Sequence, residues 1–295
     1  MRSSEFWKDY ELIDSSDGER LERWENIILI RPDPQVIWHT ERKNPLWRNA
    51  HARYLRSNTG GGKWQVYKKI PDAWQVKYRE LCFNVKPMGF KHTGIFPEQA
   101  VNWDFASDII RKADRPLNVL NLFGYTGCAT IACLKAGASV CHVDASKGMV
   151  AWAKENAASS GVIDKPVRWI VDDCGKFVAR EIRRGRRYDG VIMDPPSYGR
   201  GPSGEIWKLE EQLYSFVELC ADVLSEKPAF VILNSYTTGL SPSVMEYLLG
   251  TVIKSRFGGS VSSDEIGLPV TDTGMCLPCG STAIWRGEWS VVSGQ

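Results

Sequence analysis

The chain has 295 residues, of which 43% are hydrophobic and 24% charged, a composition typical of soluble globular proteins. Its net charge of +2 excludes nucleic-acid binding through overall basicity, so any such contact must depend on local charge. No apolar run approaches the ~18 residues of a membrane span, and the first residues lack the apolar segment of an export signal. We therefore expect a cytoplasmic protein that does not associate with membranes.

Eight cysteines without an export signal indicate reduced thiols rather than a disulfide framework. Cys276 and Cys279 form a lone CxxC pair. A structural zinc site needs four ligands and usually a second pair, which the sequence lacks. We therefore predict no metal.

The first ninety residues favour a small β-rich module that is a candidate for contact with RNA. Strand-like pieces at 26–32, 35–40 and 63–70 alternate with turn signals such as DSSDGE and RPDP. We predict a β-rich N-terminal module over 1–90 and a second domain over 91–295.

Strands and helices alternate from residue 117 onward. Buried strands are predicted at 117–123, 139–144, 167–173, 188–194 and 229–235, with 281–287 closing the sheet as an edge strand. Helices are predicted between them, among them 126–136, 205–226 and 241–255. This alternation predicts an α/β fold with a doubly wound, mostly parallel sheet.

Ligands of open α/β sheets bind outside the carboxyl ends of the strands. Gly124 and Gly127 follow the first predicted strand and would let a ligand approach the backbone closely. Asp144, twenty residues beyond Gly124, is placed to accept both hydroxyls of a ribose. Asp173, or less favourably Asp172, could accept from an adenine amino group. The alternative is that Asp144 and Asp173 only cap the helices behind them.

The glycine turn distinguishes between nucleoside cofactors. A dinucleotide site would show G-x-G-x-x-G, whereas NLFGYTG contains only G-x-x-G. This argues against NAD and an oxidoreductase. S-adenosylmethionine has no phosphate and needs no pyrophosphate cradle.

The segments LNLFGYTGCATIACLKAGA, HVDAS, DDCGKF and VIMDPPSYGRG resemble the class I S-adenosylmethionine-dependent methyltransferases. More narrowly, they are similar to the bacterial group that modifies bases of 23S ribosomal RNA. The resemblance implies a seven-stranded Rossmann-like methyltransferase sheet and S-adenosylmethionine as cofactor. Cofactor contacts are expected from Phe123, Gly124, Tyr125, Thr126, Gly127, Asp144, Ala145, Ser146, Asp172, Asp173, Cys174 and Asp194.

The segment HTGIFPEQ (92–99) resembles the part of this family that closes over the cofactor. The resemblance implies contacts from Phe96 and from Gln99.

The stretch VIMDPPSYGRG (191–201) begins as a buried strand and ends on Asp194, Pro195 and Pro196. Each proline fixes φ and offers a carbonyl without a backbone N–H, so the three residues form a rigid row of acceptors. This row could hold the donor edge of a flipped base while Tyr198 stacks on the ring. We therefore predict Asp194, Pro195, Pro196 and Tyr198 as catalytic residues. The alternative is a turn that merely ends the strand.

The sequence departs from those family members that methylate cytosine C5. They carry a cysteine nucleophile after the fifth strand, where this chain has Asn234 and Ser235. A serine is a poor substitute for a thiolate. A nitrogen acceptor, such as guanine N7 or an exocyclic amine, is therefore predicted. Other open readings are DNA, a protein amide or a small molecule as acceptor, or a non-catalytic RNA-binding protein.

Three places in the sequence carry positive charge and are candidate contacts for RNA. The basic run at 180–187 precedes the fourth strand, so we interpret it as a solvated helix end. The stretch 42–57 combines cations with Trp47 and Tyr54, which suits either stacking or an exposed amphipathic segment. Arg200 and Lys208, just after the prolines, are better placed for phosphates near a target base.

Overall fold

A computed structural model describes residues 1–57, 61–200, 206–237 and 239–288, except for the side chain of Arg200. The chain forms two compact units, Met1–Val101 with Ile266–Cys279 and Asn102–Glu265 with Gly280–Gln295. The division of the chain into two independent modules between residues 90 and 91 stays a prediction.

The first unit contains mainly antiparallel strands. They are β1 (Arg2–Ser3), β2 (Tyr10–Ser16), β3 (Glu19–Trp24), β4 (Ile27–Pro32), β5 (Ala52–Arg56), β6 (Gly62–Val66), β7 (Trp74–Tyr78) and β8 (Leu81–Val85). Strands β2 to β6 form one sheet in sequence order, with β4 and β5 parallel, and β7 pairs with β8. Its core includes Leu21, Ile30 and Trp47.

Turn chemistry explains the first hairpin of this sheet. Asp17 and Gly18 have φ angles of 51° and 75°, the left-handed pair that a two-residue hairpin requires. The predicted strand at 35–40 is wrong, because the structure has irregular backbone there. Val36 alone of its apolar residues is buried, whereas Ile37 is 90% exposed.

The rest of the chain, most of which belongs to the second unit, is built on a mostly parallel sheet with helices between the strands. The strands are β9 (Asn118–Leu122), β10 (Ser139–Asp144), β11 (Val167–Val171), β12 (Gly190–Met193), β13 (Tyr198–Arg200), β14 (Ile206–Lys208), β15 (Phe230–Ser235), β16 (Ser260–Pro269) and β17 (Cys276–Arg286). The helices are α1 (Ala100–Lys112), α2 (Cys128–Ala136), α3 (Lys147–Ser159), α4 (Cys174–Arg183), α5 (Leu209–Ala221), α6 (Pro242–Leu249) and α7 (Ser255–Phe257).

Seven of these strands form the predicted mostly parallel sheet, in the order β16-β17-β15-β12-β9-β10-β11. Strands β15, β12, β9, β10 and β11 are parallel, and β17 is antiparallel to β15. The short β1 pairs with β16 at Ile266 and Gly267. The fold class predicted from the sequence is confirmed.

Two predicted elements are corrected. The strand at 281–287 is not an edge strand, because β17 lies between β15 and β16. The strand β16, which neighbours β17 in the sheet, was not predicted because several residues of Ser260–Pro269 are polar. The helix predicted over 205–226 is shorter, since Ile206–Lys208 forms β14 and α5 ends at Ala221. Among the described residues, no helix is long and apolar enough to cross a membrane.

Candidate functional site

The loop between β9 and α2, residues 123–127, is called the glycine loop below. Phe123 and Tyr125 have φ angles of 56° and 50° although neither is glycine, and Gly127 has φ 83°. A left-handed conformation costs a residue with a side chain roughly 1–2 kcal/mol. The surrounding structure must therefore hold this loop in place.

Backbone hydrogen bonds hold the glycine loop. The three consecutive N–H groups of 123–125 donate in turn to Cys174 Sγ at 3.3 Å, Val143 O at 2.9 Å and Asp144 Oδ2 at 2.9 Å. Thr126 is fully buried, and its carbonyl accepts from Asn156 Nδ2 at 2.9 Å. The loop is therefore shaped by its own protein contacts.

The two glycines of the loop are required by packing. An ideal Cβ on Gly124 would lie 2.4 Å from Cε1 of His142, and one on Gly127 would lie 2.8 Å from Cβ of Ala153. His142 is fully buried, which lowers its pKa to about 3 and keeps the ring neutral. Close approach of a ligand to these glycines stays a prediction, because internal contacts already explain the missing side chains.

Asp144 ends β10 beside the glycine loop. Its Oδ2 accepts from Tyr125 N, and its Oδ1 accepts from Ser146 N at 2.8 Å. Burial raises the pKa of the Asp144 carboxyl, and these two hydrogen bonds oppose the rise. The N-cap of α3 is Ser146, whose Oγ accepts from Met149 N, so Asp144 is not the cap. Ala145 and Ser146 are exposed.

Asp173 does cap the helix behind it. Its Oδ1 accepts from Lys176 N at 2.8 Å, at the first turn of α4. Asp172 accepts from the backbone N–H of Asp173 at 2.9 Å and forms an ion pair with Arg180. Asp173 thus caps a helix, and its additional contact with adenine stays a prediction.

The segment that follows β12, residues 194–198, is called the proline loop below. Pro195 is buried, whereas Pro196 and Tyr198 are exposed. The Pro196 carbonyl accepts from Trp207 Nε1 at 2.6 Å. A protein donor thus already engages one lone pair of this carbonyl, and the predicted row of acceptors for a base stays a prediction.

Two further hydrogen bonds hold the proline loop at Ser197. Its carbonyl accepts from the backbone N–H of Leu209 at 3.1 Å, and its Oγ lies 2.5 Å from Thr237 Oγ1. The loop is thus held by two carbonyl acceptors and one contact between hydroxyl groups, all to residues that follow it in the chain.

Strands β13 and β14 form a two-stranded ribbon directly after the proline loop. Tyr198 pairs across the ribbon with Lys208, so the two side chains share a face. Tyr198 is 52% exposed. Lys208 Nζ pairs with Glu211 Oε1 at 2.7 Å, which raises the pKa of the lysine. The side chain of Arg200 lies outside the described residues.

The end of β15 holds no accessible nucleophile. Asn234 and Ser235 are each 2% exposed. Asn234 Oδ1 accepts from Asn102 Nδ2 at 2.9 Å, and Ser235 Oγ accepts from Thr237 N at 3.1 Å. Both side chains are therefore engaged in the structure of the strand end.

The cysteines are unsuited to nucleophilic attack at neutral pH. All eight are free, and all but Cys276 are buried. Burial raises the pKa of Cys128 and Cys133 to about 12 and that of Cys141 to about 11, and it raises the pKa of Cys174 as well. Within the described ranges, no three His, Cys, Asp or Glu side chains are grouped to hold a metal ion.

Phe96 and Gln99 belong to the first unit. Phe96 is half-buried, with its ring centroid 5.2 Å from that of His92, and Gln99 is buried at the end of the turn Pro97–Gln99. Their contacts with a cofactor stay predictions.

The basic run at 180–187 surrounds a buried carboxylate. Glu181 accepts from Tyr188 Oη at 2.6 Å, Arg168 Nη1 at 2.7 Å and Arg184 Nη1 at 3.1 Å. Burial raises its pKa, but these hydrogen bonds and the arginine charge outweigh burial and hold it at about 2. The run therefore neutralises an internal charge, while Arg183 and Arg187 lie exposed at the helix end.

The stacking surface proposed for 42–57 is wrong. Trp47 is 8% exposed and Tyr54 is 4% exposed, so neither ring is available to a base. Arg42 lies over the Trp47 ring at 4.1 Å, and Arg53 pairs with Glu19 at 2.6 Å.

The sequence analysis missed Trp207. Its ring lies 5.9 Å from that of Phe123 and 5.6 Å from that of Phe216. The available signal was a tryptophan that follows the prolines closely and precedes an amphipathic helix. The predicted helix over 205–226 includes this residue, which in the structure lies on β14.

Three comparisons place the chain among known proteins. No protein-family model matches it. A crystal structure of an S-adenosylmethionine-dependent methyltransferase from Agrobacterium tumefaciens is 36% identical, with a TM-score of 0.91, over 97% of this chain and 93% of that one. A structure from Streptococcus mutans assigned to the same class is 18% identical, with a TM-score of 0.71, over 96% and 76%. It supports the fold alone.

A curated relative covers part of the chain. The ribosomal RNA large subunit methyltransferase K/L of Shewanella baltica is 32% identical over 117 residues, which are 39% of this chain. The match spans 16% of the length of that relative.

The fold and the match to the Agrobacterium tumefaciens structure over nearly the whole chain identify a class I α/β enzyme of the methyltransferase type. The chain belongs to the S-adenosylmethionine-dependent methyltransferases, and S-adenosylmethionine is its cofactor.

Proposed function

We propose that this chain transfers the methyl group of S-adenosylmethionine to a base of large-subunit ribosomal RNA, at a nitrogen atom rather than at cytosine C5. The observation that carries the proposal is the proline loop, where Asp194 directly follows the central strand β12 and Tyr198 is exposed. The name of the Shewanella baltica relative supports ribosomal RNA as the substrate class.

The residues of the glycine loop and its neighbours fit a nucleoside cofactor. Asp144 places a carboxylate at a strand end, with each oxygen already accepting one backbone N–H and each having two lone pairs. We assign it to the ribose hydroxyls. Asp173 is assigned to the adenine amino group.

S-adenosylmethionine, when bound, would supply an electrophilic methyl group to the base nitrogen. The protein contributes alignment, which can supply much of the rate. The Asp194 carboxylate accepts from the donor edge of the base, Tyr198 stacks on its ring, and Lys208 offers a cation to a neighbouring phosphate.

Two observations favour nitrogen over cytosine C5. Attack on carbon 6 of a pyrimidine requires a thiolate, and burial raises the pKa of Cys128 and Cys133 to about 12 and that of Cys141 to about 11. The position after β15 holds Asn234 and Ser235, which are both buried and hydrogen-bonded.

The acceptor is tested by mass spectrometry of nucleosides from large-subunit ribosomal RNA incubated with the protein and methyl-labelled S-adenosylmethionine. We expect one labelled nucleoside with the methyl group on a nitrogen atom. The same methylated nucleoside should be missing from the ribosomal RNA of cells that lack the gene. An unlabelled RNA together with a labelled DNA, protein amide or small molecule would overturn the substrate. No transfer to any acceptor would favour a non-catalytic RNA-binding protein.

The atom is tested with RNA that carries 5-fluoropyrimidines, which trap enzymes that attack carbon 6. We expect no covalent adduct. A stable adduct would overturn the nitrogen assignment and require a cysteine nucleophile.

A further inference from the structure

We propose that Trp207 is a positioning residue of the methyl-transfer site, which sets the direction of the Pro196 carbonyl and joins the proline loop to the glycine loop. This inference rests on the proposed function. It concerns a residue that neither the motifs nor the names of related proteins point to.

The first support is the hydrogen bond to Pro196. A proline ring fixes φ but leaves ψ free, so the direction of the Pro196 carbonyl and of the following peptide must be set from outside. Trp207 Nε1 donates to this carbonyl at 2.6 Å. The next carbonyl, that of Ser197, accepts from the backbone N–H of Leu209. Residues 207–209 therefore fix the peptides that follow the two prolines.

The second support is the position of the indole ring. Its centroid lies 5.9 Å from that of Phe123, which begins the glycine loop, and 5.6 Å from that of Phe216 on α5. Phe123 has a left-handed backbone, with its N–H bonded to Cys174 Sγ. One side chain thus contacts the loop assigned to the cofactor and bonds to the loop assigned to the base.

The third support is the geometry of the ribbon. Trp207 lies opposite Gly199, and an ideal Cβ on that glycine would lie 3.6 Å from Cβ of Trp207. Tyr198 and Lys208 point to the other face, because neighbouring residues alternate along a strand. The ribbon is therefore anchored on one face by Trp207 and presents Tyr198 on the other.

The competing explanation is that Trp207 only stabilises the fold. Trp207→Phe separates the two, because it keeps an aromatic ring but removes the N–H donor. We expect kcat to fall roughly ten-fold, as for the loss of an oriented contact, while the Kd for S-adenosylmethionine changes less than about two-fold. Trp285→Phe is the matched control, since Trp285 Nε1 donates to the Gly258 carbonyl at 2.8 Å. It should lower stability and leave kcat unchanged.

A readout without RNA keeps this inference separate from the proposed function. Hydrogen–deuterium exchange of the free protein should show faster uptake in peptides covering 197–200 for Trp207→Phe, but not for Trp285→Phe. Unchanged exchange, or an unchanged kcat with a lower melting temperature, would overturn the positioning role. If exchange is faster in Trp207→Phe but the wild-type protein does not methylate ribosomal RNA, the proposed substrate is overturned, whereas the role of Trp207 in fixing the proline loop is retained.

Discussion

The glycine loop and the proline loop follow neighbouring strands of one sheet but are held in different ways. The glycine loop donates three consecutive backbone N–H groups to the sulfur, carbonyl and carboxylate around it. The proline loop has two residues without an N–H and is held by hydrogen bonds to Trp207, Leu209 and Thr237, of which the first two donate to its carbonyls. The first loop is therefore part of the buried structure, whereas the second depends on a few contacts that can be removed singly.

This difference predicts separable effects. Substitutions around the glycine loop should change the affinity for S-adenosylmethionine or the stability. Substitutions around the proline loop should change turnover and RNA binding while the cofactor still binds.

The largest effect is expected for Asp194→Ala. Without the carboxylate the base loses its oriented acceptor, and misalignment of reactants can cost on the order of 100-fold in rate. We expect kcat to fall by about this factor, whereas calorimetry should give a much smaller change in the Kd for S-adenosylmethionine, which Asp194 is also expected to contact. A parallel loss of cofactor affinity would break the division between the two loops.

Asp144→Ala should show the opposite pattern. Loss of a charged acceptor for the ribose hydroxyls should weaken S-adenosylmethionine binding by roughly 1.5–3 kcal/mol, measured by calorimetry on the folded variant. Unchanged affinity would remove Asp144 from the cofactor site.

The pH dependence of binding sharpens this assignment. Burial raises the pKa of Asp144, so protonation begins at a higher pH than for an exposed aspartate. The protonated form is the poorer acceptor. Affinity should therefore fall as the pH is lowered into the acidic range in the wild type, starting at a higher pH than an exposed aspartate would give, and remain flat in Asp144→Asn.

Gly124→Ala tests whether the glycine loop is fixed by packing. The new Cβ would meet the His142 ring, and overpacking of this kind costs about 1–3 kcal/mol of stability. Urea denaturation measures the loss. Gly148→Ala is the control, because a Cβ there meets only Ser146 Oγ at 3.8 Å. His142→Ala should reduce the cost of Gly124→Ala, and full additivity of the two would contradict this explanation.

The sequence predicted the parallel sheet and the positions of the strand-end acids because buried strands and their polar ends follow short-range patterns. Asp144 and Asp194 stand where expected, at the ends of β10 and β12. The roles of nearby acids could not be separated in this way. Asp173 caps α4 whereas Asp144 caps nothing, a difference set by which N–H groups the turns present.

Other features depend on contacts between distant residues. The close packing of Gly124 against His142 joins the glycine loop to β10, and the hydrogen bond from Trp207 to Pro196 links residues that are eleven positions apart. The stretch 42–57, which contains Trp47 and Tyr54, has a composition that suits a nucleic-acid surface, but the first unit buries both rings. Composition therefore cannot tell an exposed aromatic from a buried one.

The smallest effect is expected at Lys208, on the exposed face of the ribbon. If it contacts one phosphate, Lys208→Gln should flatten the slope of log K for RNA against log salt by about 0.7. Arg183→Gln is the control, because α4 ends just before β12 begins, away from the carboxyl ends of the strands. Glu211→Gln should do the reverse and strengthen RNA binding, since it releases Lys208 from its ion pair and removes a repelling charge. Measured binding curves across a salt series decide between them, and a larger effect of Arg183 than of Lys208 would place the RNA backbone away from the proline loop.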